Sequence, residues 1–209
     1  MQVSSRPYQA HDLIKLSLCE LDLERAPEWV RPSLELVPFA VVRRAKSNGP
    51  QIPIGVRGSD RNERWACLIK RGAIVKIVTP ETLSDTINTI APSRIAEIPA
   101  LSALATLSAR LANTPWKWGP TGSVGFELAS GSRTAKPTSD LDLILRCKHR
   151  VEKIELRSFN ECLKDLCVRC DTVIETPNGG VALVEYLNET EVYALRTING
   201  PLLTHDPWQ

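Results

Sequence analysis

Two acidic residues, Asp140 and Asp142, flank Leu141 and are the strongest candidates for chemistry in this chain of 209 residues. On a β-strand, residues two positions apart point to the same face, so both carboxylates would project together. Two like charges this close repel each other unless a cation lies between them. Carboxylate oxygens suit Mg²⁺, which proteins bind together with the phosphate oxygens of a substrate. The pair predicts a magnesium site, although solvated acids at the edge of a strand would show the same pattern.

A glycine-containing turn, Gly122-Ser123, precedes the acid pair along the chain. Glycine lets a backbone approach a phosphate closely, and exposed N–H groups together with the Ser123 hydroxyl can bind phosphate oxygens. Asp171, at the start of the strand-like stretch DTVIE, fits best as a third acid. Glu175 on the same stretch and Glu185 on the next predicted strand remain alternatives. Together these residues favour metal-assisted transfer from a triphosphate.

Basic residues near these motifs are candidates for substrate binding. Arg57, Arg61 and Arg64, in GVRGSDRNERW, could meet a triphosphate or an acidic protein surface with bidentate geometry. A solvated loop between strands is the alternative, because charge runs usually face solvent. Arg133 and Lys136 lie in the loop directly before the acid pair and are similar candidates.

Three cysteines, Cys162, Cys167 and Cys170, have the spacing C-x4-C-x2-C, which occurs in one class of iron–sulfur ligand sets. The same residues follow three- and four-residue steps with Phe159 and Leu163, as on the apolar face of an amphipathic helix. The chain offers no fourth ligand at a suitable spacing. We therefore expect these cysteines to act as small core hydrophobes, with no metal–sulfur site.

The overall composition excludes some classes of partner. Lys and Arg number 26 against 24 Asp and Glu, which gives a net charge of +2. Nonspecific nucleic-acid binding depends on a surplus of basic residues, so no nucleic-acid partner is expected. No stretch resembles a signal peptide or reaches the roughly 20 apolar residues that a membrane-spanning helix needs. We expect a cytoplasmic protein without a membrane partner, whose cysteines are mostly reduced.

The elements that must position these residues divide the chain into two predicted domains. Residues 1–79 are expected to form a small, mostly β N-terminal domain, and residues 80–209 the catalytic domain. In the first, extended pieces are separated by proline and glycine, namely LELVPFAVVRRA, IPIGVRG, RWACLIKR and GAIVKIVTP. A short helical stretch is expected before them, around residues 11–19.

The second domain is predicted to be a mixed sheet flanked by helices, an α+β fold. Helices are expected over about 80–90 and 99–112, from a favourable proline start and an apolar stripe respectively. The strands predicted after them are GSVGFELAS, DLDLILRC, CDTVIETP and VALVEYL. A helix within RVEKIELRSFNECLKDLCVR separates the second strand from the third, and a turn at 178–180 joins the last two.

The order of a Gly-Ser turn, an acid-x-acid strand and a later third acid resembles the DNA polymerase β-like nucleotidyltransferase superfamily. Three longer stretches narrow this resemblance: GPTGSVGFELASG…TSDLDLIL, APEWVRPSLELVPFAVVRR and IPIGVRGSDRNERWA. They resemble the malonate decarboxylase holo-acyl-carrier-protein synthases, also called phosphoribosyl-dephospho-CoA transferases. The resemblance spans most of the chain, including its N-terminal half.

This resemblance implies transfer of phosphoribosyl-dephospho-CoA from triphosphoribosyl-dephospho-CoA to a serine of the malonate decarboxylase acyl-carrier subunit, with release of pyrophosphate. Asp140 and Asp142 would hold Mg²⁺ ions, and Asp171 would hold one ion and help to deprotonate the serine. Gly122 and Ser123 would steady the leaving phosphates. Two alternatives remain: a nucleotidyltransferase that uses ATP or another nucleotide on a protein, RNA or small molecule, and a noncatalytic binding module of the same fold.

Overall fold

The computed structural model describes residues 8–47, 49–60, 62–188 and 190–209. Contacts between residues divide the chain into two compact units, Met1–Thr79 and Pro80–Gln209. Each unit has one β-sheet and one hydrophobic core. Helices and strands occur in both, so the predicted α+β class with a β-rich N-terminal region is confirmed. In the part of the chain that is described, no helix has the length and apolar character needed to cross a membrane.

The first unit is built on an antiparallel sheet of five strands. These are β1 (Leu13–Leu16), β2 (Phe39–Val42), β3 (Ile52–Arg57), β4 (Arg64–Ile69) and β5 (Ile74–Val78), in the spatial order β4-β3-β2-β1-β5. One helix, α1 (Val30–Leu36), packs on this sheet and buries Val30 and Leu34, which lie four residues apart on one helix face. The strands that the sequence predicts at IPIGVRG, RWACLIKR and GAIVKIVTP are confirmed as β3, β4 and β5.

The predicted helix around residues 11–19 is wrong, because this stretch forms strand β1. His11 has a φ of +72°, which is incompatible with a right-handed helix. β1 lies between β2 and β5, where Ile14 and Leu16 are buried. A single turn of 3₁₀ helix, Leu18–Glu20, follows the strand. The prediction of LELVPFAVVRRA as wholly extended is also wrong, because α1 covers its first residues and only β2 is a strand.

The second unit is built on a mixed sheet of six strands. These are β6 (Trp118–Pro120), β7 (Leu141–Arg146), β8 (Cys170–Glu175), β9 (Gly180–Ala182), β10 (Tyr193–Thr197) and β11 (Gly200–Thr204), in the spatial order β11-β10-β9-β8-β7-β6. Neighbouring strands are antiparallel except for β7 and β8, which are parallel. The mixed sheet predicted from the sequence is therefore confirmed.

Six helices of the described residues accompany this sheet. They are α2 (Pro80–Leu83), α3 (Pro92–Glu97), α4 (Pro99–Leu111), α5 (Gly122–Ser130), α6 (Lys153–Glu161) and α7 (Leu183–Leu187). The helix predicted over 99–112 is confirmed as α4, whose apolar stripe of Leu101, Leu104 and Leu107 is fully buried. The helix predicted over 80–90 is shorter, because α2 gives way to a 3₁₀ turn at Asp85–Thr89.

The prediction of GSVGFELAS as a strand is wrong, because the segment forms helix α5. Val124, Phe126 and Leu128 alternate with other residues, which is the pattern of a strand. In the structure Val124 and Glu127, three positions apart, are the buried side chains. Gly131 then ends the helix in the left-handed conformation, with φ +75°, and its N–H donates to the Glu127 carbonyl oxygen at 2.8 Å.

Candidate active site

Strand β7 directs Asp142 to one face of the second sheet. Leu141, Leu143 and Leu145 are at most 1% exposed and belong to the core beneath the strand. Asp142 lies between the first two and is half-buried, while Asp140 directly precedes the strand and is exposed. Because neighbouring residues of a strand face opposite sides, Asp142 lies on the side opposite these leucines, and Asp140 lies just before the start of the strand.

Gly122 and Ser123, predicted as a turn and still called the Gly-Ser turn below, are the first residues of helix α5 and lie directly against Asp142. The N–H of Thr121 donates to the Asp142 carbonyl oxygen at 2.8 Å, which ties the turn to β7. Gly122 has a φ of +58°, and a Cβ atom at this position would lie 2.0 Å from the Asp142 Oδ2 atom. Only glycine allows both this conformation and this approach. The structure therefore brings the predicted phosphate-binding turn into contact with the predicted metal-binding strand.

The segment of residues 131–139, which joins α5 to β7, folds back over the same turn. The Thr134 hydroxyl donates to the Ser123 carbonyl oxygen at 2.8 Å. The Ser123 hydroxyl donates to the Ser139 hydroxyl oxygen at 3.2 Å, and the Lys136 N–H donates to the same oxygen at 2.9 Å. Thr134 and Ser139 thus belong to the site, although the sequence analysis did not single them out.

A buried ion pair holds this segment in place. Arg94 and Glu127 are only 8% and 3% exposed. The Arg94 Nε atom donates to the Glu127 Oε1 atom at 2.9 Å, and Nη2 donates to Oε2 at 3.0 Å. Nη2 also donates to the Ala135 carbonyl oxygen at 2.7 Å, and the Ala135 N–H donates to the Glu127 Oε2 atom at 2.8 Å. The pair therefore fixes both backbone groups of Ala135.

The surroundings of this pair keep both residues charged. Burial alone would raise the pKa of Glu127, but hydrogen bonds from Arg94 and from the Ala135 N–H outweigh it, so this pKa lies below its ordinary value. The hydrogen bond to Glu127 raises the pKa of Arg94 further. Sequence reasoning missed the pair, and the signal available was a lone carboxylate within the otherwise uncharged stretch GSVGFELAS.

The register between β7 and β8 places one candidate third acid beside the acid pair. Asp171 is the direct partner of Asp142 across these parallel strands. Glu175 is instead the partner of Arg146, four residues further along and roughly 13 Å away at about 3.3 Å per residue. Asp171 is engaged by Arg169, whose Nε and Nη2 atoms lie 3.1 and 3.0 Å from its Oδ1 atom.

Glu185 does not lie on a strand, so this part of the prediction is wrong. VALVEYL forms the short strand β9 and then α7, because Leu183 and Tyr186 are buried three positions apart. The Glu185 Oε1 atom accepts a hydrogen bond from the Ala194 N–H at 2.5 Å. Of the three alternatives for the third acid, only Asp171 pairs with a member of the acid pair.

The side chains of Asp140, Asp142 and Asp171 do not form a cluster that could hold a metal ion. Within residues 8–47, 49–60, 62–188 and 190–209, no three His, Cys, Asp or Glu side chains are grouped so that they could hold a metal ion. One oxygen of Asp171, the candidate third acid, is instead in contact with Arg169.

The basic candidates fall into two groups. Arg57 and Arg64 are exposed residues of the first unit and lie opposite each other on β3 and β4. Arg61 lies outside the described residues. Arg133 and Lys136 are exposed on the segment 131–139, next to the turn. Their roles in substrate binding stay predictions.

The three cysteines near α6 differ in their surroundings. Cys162 and Cys170 pack against the core of the second unit, as predicted. Cys167 is exposed, contrary to the prediction, and its thiol donates to the Pro99 carbonyl oxygen at 3.5 Å. The steps of three and four residues do not continue through Cys167 because α6 ends at Glu161.

Models of one protein family match both units of the chain. The family model described as the N-terminal domain of phosphoribosyl-dephospho-CoA transferase MdcG matches residues 9–80, and the model of its C-terminal domain matches residues 83–207. No solved structure matches the chain.

Curated relatives match over almost the entire chain. A phosphoribosyl-dephospho-CoA transferase of Pseudomonas aeruginosa is 37% identical over 202 residues, which cover 96% of this chain and 94% of the relative. One of Klebsiella pneumoniae subsp. pneumoniae is 34% identical over 208 residues, with coverage of 100% and 98%. One of Pseudomonas putida is 34% identical over 183 residues, with coverage of 88% and 86%. The predicted family is confirmed, and the chain belongs to the phosphoribosyl-dephospho-CoA transferases.

Proposed function

We propose that this enzyme transfers phosphoribosyl-dephospho-CoA from triphosphoribosyl-dephospho-CoA to a serine of the malonate decarboxylase acyl-carrier subunit. The observation that carries the proposal is the contact between the Gly-Ser turn and the acid strand, where a Cβ on Gly122 would overlap Asp142. A site for transfer from a triphosphate needs a phosphate-binding turn next to carboxylates, and this contact supports such an arrangement. The transferase names of the relatives support the choice of substrate.

In the proposed reaction the serine oxygen of the carrier attacks the α-phosphorus. A new P–O bond forms while the bond to pyrophosphate breaks, which leaves a phosphodiester on the carrier. Asp171 accepts the serine proton, because it lies beside Asp142 on the neighbouring strand. The backbone N–H groups of Gly122 and Ser123 bind the oxygens of the departing pyrophosphate.

Magnesium is the ion that these acids fit best. Asp140, Asp142 and Asp171 supply only carboxylate oxygens, and the first two share a strand that pairs with the strand of the third. Mg²⁺, when bound, neutralises charge on the phosphate oxygens and stabilises the attacking and leaving oxygens of an in-line displacement. Asp171 must leave Arg169 to join the ligand set. This ion pair is exposed, at 73% for the arginine side chain and 47% for the aspartate, so its loss costs little.

Reconstitution tests this proposal directly. The enzyme is mixed with apo carrier subunit, triphosphoribosyl-dephospho-CoA and Mg²⁺, and the carrier is followed by intact-mass spectrometry. We expect a mass gain on the carrier serine, release of pyrophosphate, and loss of both when EDTA removes the metal. Transfer of label only from ATP would support the ordinary nucleotidyltransferase instead, and no transfer from any donor would support a noncatalytic module.

Variants connect the activity to the acids. We expect Asp140→Asn and Asp142→Asn to abolish transfer while the far-ultraviolet circular dichroism stays unchanged, since each removes a charge that needs a metal partner. Asp85→Asn is the matched control, because Asp85 is an exposed acid of the same unit outside the site. Full activity of either active-site variant would contradict the site assignment.

A further inference from the structure

The hydroxyl of Ser139 is held at the Gly-Ser turn in a particular hydrogen-bonding state. Its oxygen accepts two hydrogen bonds, one from the Lys136 N–H and one from the Ser123 hydroxyl. A serine hydroxyl has two lone pairs and one proton. Both acceptor positions are filled, so the proton remains for an acceptor that the described residues do not supply. An oxygen of a bound ligand can take that position.

The place of Ser139 in the fold identifies the chemistry of this ligand. Ser139 directly precedes the acid pair, and its oxygen lies 3.2 Å from that of Ser123. Because the Ser123 hydroxyl gives its only proton to Ser139, the Ser139 proton is the one that this pair of hydroxyls can offer to a phosphate oxygen. Because Ser123 is half-buried beside the exposed Gly122, a phosphate at this turn lies within reach of the Ser139 proton.

The Arg94–Glu127 pair fixes the backbone that carries Ser139. Residues 131–139 form neither helix nor strand, so no backbone ladder holds them. The pair instead binds both the N–H and the carbonyl oxygen of Ala135, which is itself buried. Ser139 follows four residues later and turns back through its N–H, which donates to the Lys136 carbonyl oxygen at 2.9 Å. A shift of Ala135 would therefore displace Ser139 from Ser123.

We propose that the Ser139 hydroxyl donates to a phosphate oxygen at the triphosphate site, while Ser123 donates to Ser139, and that the Arg94–Glu127 pair positions Ser139. The inference rests on the proposed function, since it presupposes that a triphosphate binds at the Gly-Ser turn. It adds a ligand-contacting residue, Ser139, and two positioning residues that act through Ala135.

Binding of Mg²⁺-pyrophosphate, the proposed product, tests the role of Ser139. Isothermal titration calorimetry compares the wild-type enzyme with Ser139→Ala and with Ser132→Ala, a serine of the same segment outside the hydrogen-bond network. We expect about 10- to 100-fold weaker binding for Ser139→Ala, the value of a hydrogen bond to a charged group, and unchanged binding for Ser132→Ala. Equal affinity of Ser139→Ala and wild type would overturn this inference and leave the proposed function standing. Absence of binding to the wild-type enzyme would overturn both.

A double-mutant cycle tests the positioning role. Arg94→Lys keeps the positive charge but loses the bidentate contact, and we expect it to weaken pyrophosphate binding in the folded protein. The same substitution should add no further loss to Ser139→Ala, because its effect passes through that hydroxyl. Additive losses would overturn the positioning role. If Arg94→Lys does not fold, Glu127→Gln replaces it in the cycle, because it weakens the same ion pair from its other member.

Discussion

Replacement of Gly122 by alanine is expected to reduce transfer activity strongly while the free energy of unfolding changes only modestly. An L-residue at φ +58° pays a conformational penalty of about 1–2 kcal/mol, partly offset because alanine also restricts the unfolded chain. The new Cβ atom would lie 2.0 Å from the Asp142 Oδ2 atom and 2.9 Å from its Cγ atom. The Oδ2 and Cγ atoms can move away by rotation of the Asp142 side chain, but its Cβ atom, 3.1 Å from the new carbon, must shift by a few tenths of an ångström. The damage therefore falls on the position of a proposed metal ligand.

Gly131→Ala provides a matched control at the other end of the same helix. Gly131 has a φ of +75°, and a Cβ atom there meets no other atom within 4 Å. Both variants should lose similar free energy of unfolding, about 1 kcal/mol, measured by urea denaturation. Transfer activity should differ: Gly131→Ala stays near wild type, while Gly122→Ala falls at least about 100-fold, as expected when a catalytic group moves by about 1 Å.

Two results for these variants would contradict the proposed role of Asp142. If Gly122→Ala kept the activity of Gly131→Ala, the carboxylate of Asp142 would not need its observed position, and its role as a metal ligand would be refuted. If both variants lost activity equally, the loss would reflect the helix α5 and not the contact with Asp142. Mn²⁺ binding, followed by electron paramagnetic resonance, gives a second readout that needs no substrate.

Three further predictions concern charge and pH. The pKa of Glu127 lies below its ordinary value of 4.5, despite burial, so the ion pair stabilises the fold fully above that value and less as the pH falls through the lower folded pKa. The urea midpoint of the wild type should therefore drop more steeply below pH 4.5 than that of Glu127→Gln, and parallel curves would contradict this. Burial raises the pKa of Cys147 to about 12. Iodoacetamide at pH 8 should therefore label the exposed Cys19 and Cys167 first, as followed by peptide mass spectrometry. Early labelling of Cys147 would be inconsistent with its burial. Arg169→Gln should release Asp171, the proposed third acid, and tighten Mn²⁺ binding, while the free energy of unfolding changes by less than about 1 kcal/mol. An unchanged Mn²⁺ affinity would show that Arg169 does not compete with the ion.

Sequence patterns predict a helix or strand correctly when its buried apolar residues recur at one regular spacing within that element. The leucines of α4 recur at helical spacing, and the leucines of β7 alternate, so one periodicity describes each element. Helix α5 differs because its buried positions include a charged residue. Glu127 is buried only because Arg94, 33 positions earlier in the chain, meets it. A hydrophobic pattern cannot represent a buried carboxylate whose partner is so distant, and the alternation of Val124, Phe126 and Leu128 then indicated a strand.

The same limit determines how much of the candidate site can be predicted from the sequence. Gly122, Ser123 and the acid pair could be singled out because a turn and a strand each carry their chemistry within a few residues. The third acid is predicted less sharply, with Asp171 preferred over Glu175 and Glu185, since Asp171 and Glu175 share a strand and a face. Their difference arises only when β8 pairs with β7, because a parallel register aligns one position of β8 with Asp142 and moves every other position away in steps of about 3.3 Å. The preference for Asp171 thus follows from strand pairing, because a shift of that register by two residues would bring Val173 to Asp142 and leave the candidate site without its proposed third carboxylate.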